Sequence, residues 1–416
     1  MSKILIKNIK GLVQAGENFP PFVKGKAMSR VPIIENAFLA IEDDEIIAYG
    51  AMDDMMGIDD WRNLEIIDAT GKYVFPAFCD SHTHIVFAKS REGEFVDKIR
   101  GLSYEEIAAK GGGILNSARA LQQASEDELY KSAYARLDEI MQSGTGAVEI
   151  KSGYGLTVEA ELKMLRVIKR LKETHPLTIK STFLGAHAYP VEYKENHQGY
   201  LRQIIDEMLP VIQTENLADF IDAFCERGYF SVDELIQVME AGKKVGLVPK
   251  IHVNQFSILG GVQAAVSHGA LSVDHLEEIN DADIATLKDS SCMPTLLPSC
   301  SFFLNIPFGK ARLMMEQNLP IALATDYNPG TTPSGNMLFL WSLACIKLRM
   351  TPLEALNAMT INTAYAMGLS DSHGTISVGK KANVLITKAI PSIEFLPYSF
   401  GANHLETIIV NGNVIL

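Results

Sequence analysis

Cysteine is scarce in this chain. The five residues Cys79, Cys225, Cys292, Cys300 and Cys345 are odd in number and scattered among 416 positions. That excludes a disulfide framework and, with no zinc-ribbon spacing, a cysteine-built structural metal site. Thiols embedded mostly in apolar segments lead us to expect a reduced, cytoplasmic protein. No run of about 18 apolar residues occurs, so no membrane-spanning helix is expected. The N-terminal stretch 1–10 alternates apolar and basic residues without an apolar centre, which reads as a strand rather than a signal peptide. Positive charge is also in deficit: 37 basic residues face 50 acidic ones, a formal balance of -13, with no basic cluster. Nucleic acid and anionic membrane surfaces are therefore poor partners. Phosphate-loop chemistry is missing too. Gly111-Gly112-Gly113 and Gly153-Tyr154-Gly155 lack the Lys-Ser/Thr partner of such a loop, and read equally as turns or as places where backbone approaches a small ligand.

What is present is apolar surface in two textures. Hydrophobic residues make up 47% of the chain, enough for one large core with a smaller unit beside it. Residues 1–73 carry short alternating segments at 4–9, 33–41, 45–48 and 64–68, separated by Gly, Pro and Asp, and predict a small antiparallel sheet. The stretch 371–416 repeats that texture around the tight turn Asn411-Gly412. Two like ends around an unlike middle predict one composite β domain. The middle, 74–370, alternates short apolar runs at 74–80, 148–151, 178–184, 220–224, 249–253, 270–273, 292–296 and 321–324 with helical segments. Eight such runs are the number that closes a (β/α)8 barrel. Helices are expected at 127–141, 158–173, 200–209 and 232–241, with capping boxes at Ser103 to Glu106 and Thr351 to Glu354.

In such a barrel chemistry belongs at the C-terminal strand ends. The first run stops at His82 and His84, one residue apart; the fifth carries His252 and Gln255; the sixth ends in Asp274-His275; the eighth ends in Asp326. Three imidazoles and a carboxylate on separate strand ends make a shell for one divalent metal ion, with His82, His84, His252 and Asp326 as ligands. Solvated loop histidines are the alternative for the first pair, and a core histidine for His252. Either Asp274 or His275 could instead cap the following segment. Asp326 could take a proton from water, and His275 could orient the water or polarise a carbonyl, giving hydrolysis without a covalent intermediate. Other strand-end loops offer Arg91, Tyr154, His187, Asn328, Gly330 and Thr331. Arginine and tyrosine suit a substrate carboxylate.

These residues resemble the amidohydrolase superfamily, and within it the imidazolonepropionase family. The likeness rests on the segments 78–87, 101–107 with 111–114, 149–156, 182–188, 250–252, 273–277 and 322–330. It implies a barrel with a small β-sandwich domain built from both chain ends. It also implies one zinc or iron ion and a homodimer that opens the ring amide of 4-imidazolone-5-propanoate. By the same resemblance Arg91, Tyr104, Tyr154 and His187 hold the propionate and ring. Gln255 contacts the ring, and Asn328, Gly330 and Thr331 surround the substrate. Position 255 is glutamine where some members carry glutamate, which moves proton transfer toward Asp326 and His275. The fourth run has no lysine to bridge two metals, so one ion is expected. Another cyclic amidohydrolase or an imidazole-ring deaminase would use the same shell; a non-enzymatic binding module would have no use for it.

Overall fold

The computed structural model describes residues 2–57, 62–102, 106 and 112–416. The expected capping box at Ser103, together with Tyr104 and Gly111, lies outside the described residues.

The strands are β1 (Lys3–Val13), β2 (Ile33–Glu42), β3 (Glu45–Ala51), β4 (Leu64–Asp68) and β5 (Tyr73–Pro76), then β6 (Phe78–Thr83), β7 (Thr145–Lys151), β8 (Thr178–Ala186) and β9 (Phe220–Cys225). They continue with β10 (Val248–Val253), β11 (Ser272–His275), β12 (Met293–Leu296), β13 (Ala322–Leu323), β14 (Val384–Thr387), β15 (Leu405–Val410) and β16 (Asn413–Val414). Among the described residues these strands form two sheets of eight. From β6 to β13 every neighbouring pair is parallel, and each strand follows the one before it in sequence. The ring closes between its last and first members: the Asp326 amide donates to the His82 carbonyl at 3.0 Å, and the His84 amide to Tyr327 at 2.8 Å. All eight expected runs take part, and their apolar continuity reflects burial on both faces.

The chain ends form the other sheet, in the order β16-β15-β14-β5-β1-β2-β3, with β4 also on β1. It is mixed rather than antiparallel, because β4 and β5 both run parallel to β1. Asn411 and Gly412, with φ of 45° and 75°, turn β15 into β16 as their sequence predicts. A Cβ on Gly412 would lie 1.7 Å from the Asp43 carbonyl oxygen, so no other residue fits.

The run 74–80 is not one strand. Pro76 cannot donate to a ladder, and the chain changes sheets at Ala77, with β5 pairing to β1 and β14 and β6 to β7. His82 consequently lies inside β6 rather than beyond it. Trp341 holds the seam, its ring 6.3 Å from Phe75 and 6.0 Å from Phe78, with its indole N–H on the Pro352 carbonyl at 2.9 Å. The expected outer helices are present as Glu126–Gln142, Val158–Thr174 and Val232–Lys244. The segment 200–209 lies in a longer helix interrupted by a π stretch, Gln203–Met208. The Thr351 capping box is formed, a device worth about 1 kcal/mol.

Candidate metal centre and substrate pocket

His82, His84 and His252 present ring nitrogens within 4.8 Å of one another, all three buried. Asp326 Oδ1 lies 3.6 Å from His82 Nε2 and 3.7 Å from His84 Nε2. These spacings approach the edge, about 3.4 Å, of a tetrahedron with bonds near 2.1 Å. The tautomers suit the same use. His82 Nδ1 donates to Asp274 at 2.7 Å, and His252 Nδ1 to Asp222 at 2.8 Å. Each leaves an Nε2 lone pair facing the centre. His82 Nε2 has no hydrogen-bond partner although fully buried, which an ion resolves. Burial, reinforced by the neighbouring rings and Lys151, keeps these three imidazoles neutral, the form that ligates. The residues present therefore fit a divalent ion.

Asp326 lies three residues beyond β13, with a left-handed backbone, φ 57°. This turn aims its carboxylate inward, and Thr331 Oγ1 donates to it at 3.1 Å. Behind it Asp80 accepts from the Thr325 amide at 3.0 Å and from its hydroxyl at 2.6 Å, fixing the preceding residue. Desolvation raises the Asp326 carboxyl to about 6. His275, φ 90°, closes β11 beside the triad, its ring 5.6 Å from His82 and 5.3 Å from His252. Burial pulls its basicity down, but Glu277, Asp326 and Asp274 outweigh that and raise it.

Beneath the histidines lies a floor of buried charge. Lys151 Nζ contacts Glu149 at 2.8 Å, Asp222 at 2.9 Å and Asp274 at 3.6 Å. Lys250 reaches Glu149 at 3.1 Å, Ser272 at 2.8 Å and the Ala366 carbonyl at 2.7 Å. Burial alone would neutralise Lys151, yet Asp222, Glu149 and Asp274 together raise its pKa. Asp274 is thus neither a cap nor a ligand; it orients His82, and Asn280 caps the helix that follows. Of these floor residues, the sequence singled out Asp274. Their signal was alternation: Glu149 and Lys151, two apart in an apolar strand, face the same side.

Above the centre opens a cavity of about 530 Å³. Arg91, Tyr154, His187, Gln255, Asn328, Gly330 and Thr331 all line it, together with His84, His252, His275 and Asp326. Lys98 and Phe224, absent from the sequence reading, line it too. Arg91 is steered by Ser117, whose hydroxyl accepts from Nε at 2.9 Å. It sits 6.0 Å from the Tyr154 ring centroid. Burial holds the Tyr154 phenol protonated as a donor. His187 stacks on His84 at 5.4 Å and donates Nδ1–H to the Gly153 carbonyl at 3.0 Å, and burial lowers its pKa to about 4. Gly153 and Gly155 thus approach His187 and Glu161, the latter accepting from the amides of Gly153, Gly155 and Leu156 at 3.0, 2.6 and 3.1 Å. Asn328 Oδ1 accepts from the Gly330 and Thr331 amides, both at 2.8 Å, and shapes the last loop.

The sequence pattern of the amidohydrolase family matches residues 73–415. An imidazolonepropionase of Flavobacterium johnsoniae is 57% identical over 411 residues, covering 99% of both chains. One of Geobacillus kaustophilus is 42% identical over 419 residues, covering 100% of this chain and 98% of its own. Among solved structures, E. coli guanine deaminase superposes with a TM-score of 0.76 at 13% identity, covering 100% of this chain and 99% of its own. A triazine hydrolase variant gives 0.74 at 14%, covering 99% and 94%; at such identities the likeness is one of fold. The chain belongs to the amidohydrolase family, and within it to the imidazolonepropionases.

Proposed function

We infer that this enzyme hydrolyses the ring amide C–N bond of 4-imidazolone-5-propanoate to N-formimino-L-glutamate. Full-length identity of 57% to an imidazolonepropionase carries the reading. An imidazole-ring deaminase would share the fold and the histidines, but nothing else favours it.

His82, His84, His252 and Asp326 would hold one zinc or iron ion. Such an ion, when bound, supplies Lewis acidity toward a carbonyl oxygen and lowers the pKa of water. The chain's own groups divide the remaining work. Asp326 accepts a proton from the attacking water, whose oxygen joins the ring carbonyl carbon. As the C–N bond breaks, that carbon becomes a carboxylate and the departing ring nitrogen needs a proton. His275, made more basic by Glu277, orients the water or the carbonyl and can relay that proton. Arg91 and Tyr154 face the propionate, and neutral His187 offers an acceptor Nε2 to the ring. Gln255 orients the ring from the other strand-end loop, while Asn328, Gly330 and Thr331 set the pocket wall. For Tyr104 the family resemblance alone supports a substrate role.

The same reading makes the protein a cytoplasmic homodimer with a small-molecule substrate. Its five cysteines are free, which supports a reducing compartment. Among the described residues no helix is long and apolar enough to cross a membrane. Light scattering checks the dimer.

Metal-replete protein is incubated without oxygen with freshly generated imidazolone propionate, and the product is identified by mass. Formiminoglutamate without free ammonia is expected. Ammonia released at the chemical step would favour the deaminase, and no conversion would sink the assignment.

A further inference from the structure

A second set of metal-type donors lies beside the first. Ligand atoms of His275, Glu277 and Cys300 fall within 4.8 Å of one another, and all three residues are more than nine-tenths buried. Left-handed backbone at His275 and Leu276, φ 90° and 60°, folds Glu277 back toward the imidazole two residues before it. Cys300 comes from the helix Pro298–Leu304 that follows β12. His275 Nδ1 stands 3.5 Å from Glu277 Oε1 and 3.4 Å from Oε2. That is long for a hydrogen bond, usually 2.7–3.2 Å, but it matches a tetrahedral edge of about 3.4 Å. Ser301 Oγ donates to Oε1 at 3.3 Å, whereas buried Oε2 has no hydrogen-bond partner. An acceptor without a hydrogen-bond partner in a buried imidazole, carboxylate and thiol set points to a cation-binding site. Sulfur makes the set suited to zinc or cadmium and distinguishes it from the all-nitrogen-and-oxygen shell of His82, His84, His252 and Asp326.

We propose that His275, Glu277 and Cys300 form a second, inhibitory site for a thiophilic divalent ion. Binding releases the Cys300 thiol proton to solvent and forms bonds to sulfur, nitrogen and oxygen without change of oxidation state. An ion on the Nδ1 side of His275 pins the ring between Glu277 and Cys300, so the ring no longer turns toward the substrate carbonyl or the attacking water. The inhibitory part rests on the proposed role of His275; the binding itself does not.

The test titrates cadmium chloride into protein already loaded with one equivalent of zinc, in buffer free of thiols. It follows cadmium–thiolate charge-transfer absorption, bound metal after desalting, and turnover at each ratio. The expected result is a thiolate band that saturates at one further equivalent, with turnover falling about tenfold or more in parallel. None of the four proposed ligands of the first site carries sulfur, so cadmium held by those four gives no such band. Cys300→Ala should lose both the band and the dependence of its own turnover on added cadmium. Glu277→Gln keeps the sulfur and should need roughly 10–100-fold more cadmium. No further equivalent bound by the unaltered protein, or a band that survives in Cys300→Ala, overturns the site. A saturating band with undiminished turnover overturns its inhibitory character. Because the band is read without substrate, failure of the site and failure of the proposed reaction are told apart.

Discussion

The floor and the rim of the pocket are built from opposite materials. The floor (Glu149, Lys151, Asp222, Lys250 and Asp274) has no solvent exposure, and each charge is met by an opposite one. Buried ions of this kind are costly unless fully paired, so the floor has little freedom to move, and it fixes the tautomers of His82 and His252. The rim hangs on loops, with Arg91 held by one hydroxyl and the Asn328 turn by backbone amides. Positioning of the histidines falls to the rigid layer and substrate choice to the adaptable one.

The largest expected effect falls where the layers meet. Asp326→Ala should lower turnover by about 10²–10⁴-fold or more, measured as kcat, since it removes a proton acceptor and a proposed ligand. Retained turnover would break the division. Arg91→Ala should raise KM roughly tenfold to a hundredfold while leaving kcat nearly unchanged, because a charged hydrogen-bonded contact is worth about 1.5–3 kcal/mol. A matching fall in kcat would place Arg91 in the chemistry. Gly330→Ala sharpens the same point: its Cβ would lie 2.5 Å from Arg91 Nη1, so the guanidinium must shift and KM should rise several-fold, about 1 kcal/mol of lost contact.

The smallest effect on catalysis lies outside both layers, at the seam between the sheets, and is read in stability. His373 bonds Ser372 and Thr178 at 2.8 and 3.1 Å, and burial, helped by Lys380, Lys381 and Lys180, lowers its pKa to about 4. An unfolded histidine titrates near pH 6.5. The unfolded chain therefore binds more protons as pH falls from about 6.5 to 4, and stability declines by at most about 1.4 kcal/mol per pH unit from this residue. His373→Asn should flatten that part of the acid-unfolding curve.

The pocket-lining residues and the clustered histidines were legible in the sequence because strand ends are marked by polar residues after apolar runs, as at His252 and Asp326. The eight-strand count was legible for the same reason. The floor was not, because Asp222 and Lys250 look like interruptions of strands until closure of the barrel shows them facing one another. The change of sheet at Ala77 was hidden by an unbroken apolar run, with Pro76 its only mark. Cys300 gave no signal, since its approach to His275 joins two strand-end segments.

The central claim, that the floor fixes the metal and the rim does not, is tested most directly by chelator competition on Lys151→Met and Arg91→Ala side by side. Lys151→Met should lose roughly 10–100-fold in metal affinity, with a stability loss of about 3–5 kcal/mol from the stranded carboxylates, while Arg91→Ala binds metal as the unaltered protein does. Equal metal affinities in the two variants, both folded, would contradict the account.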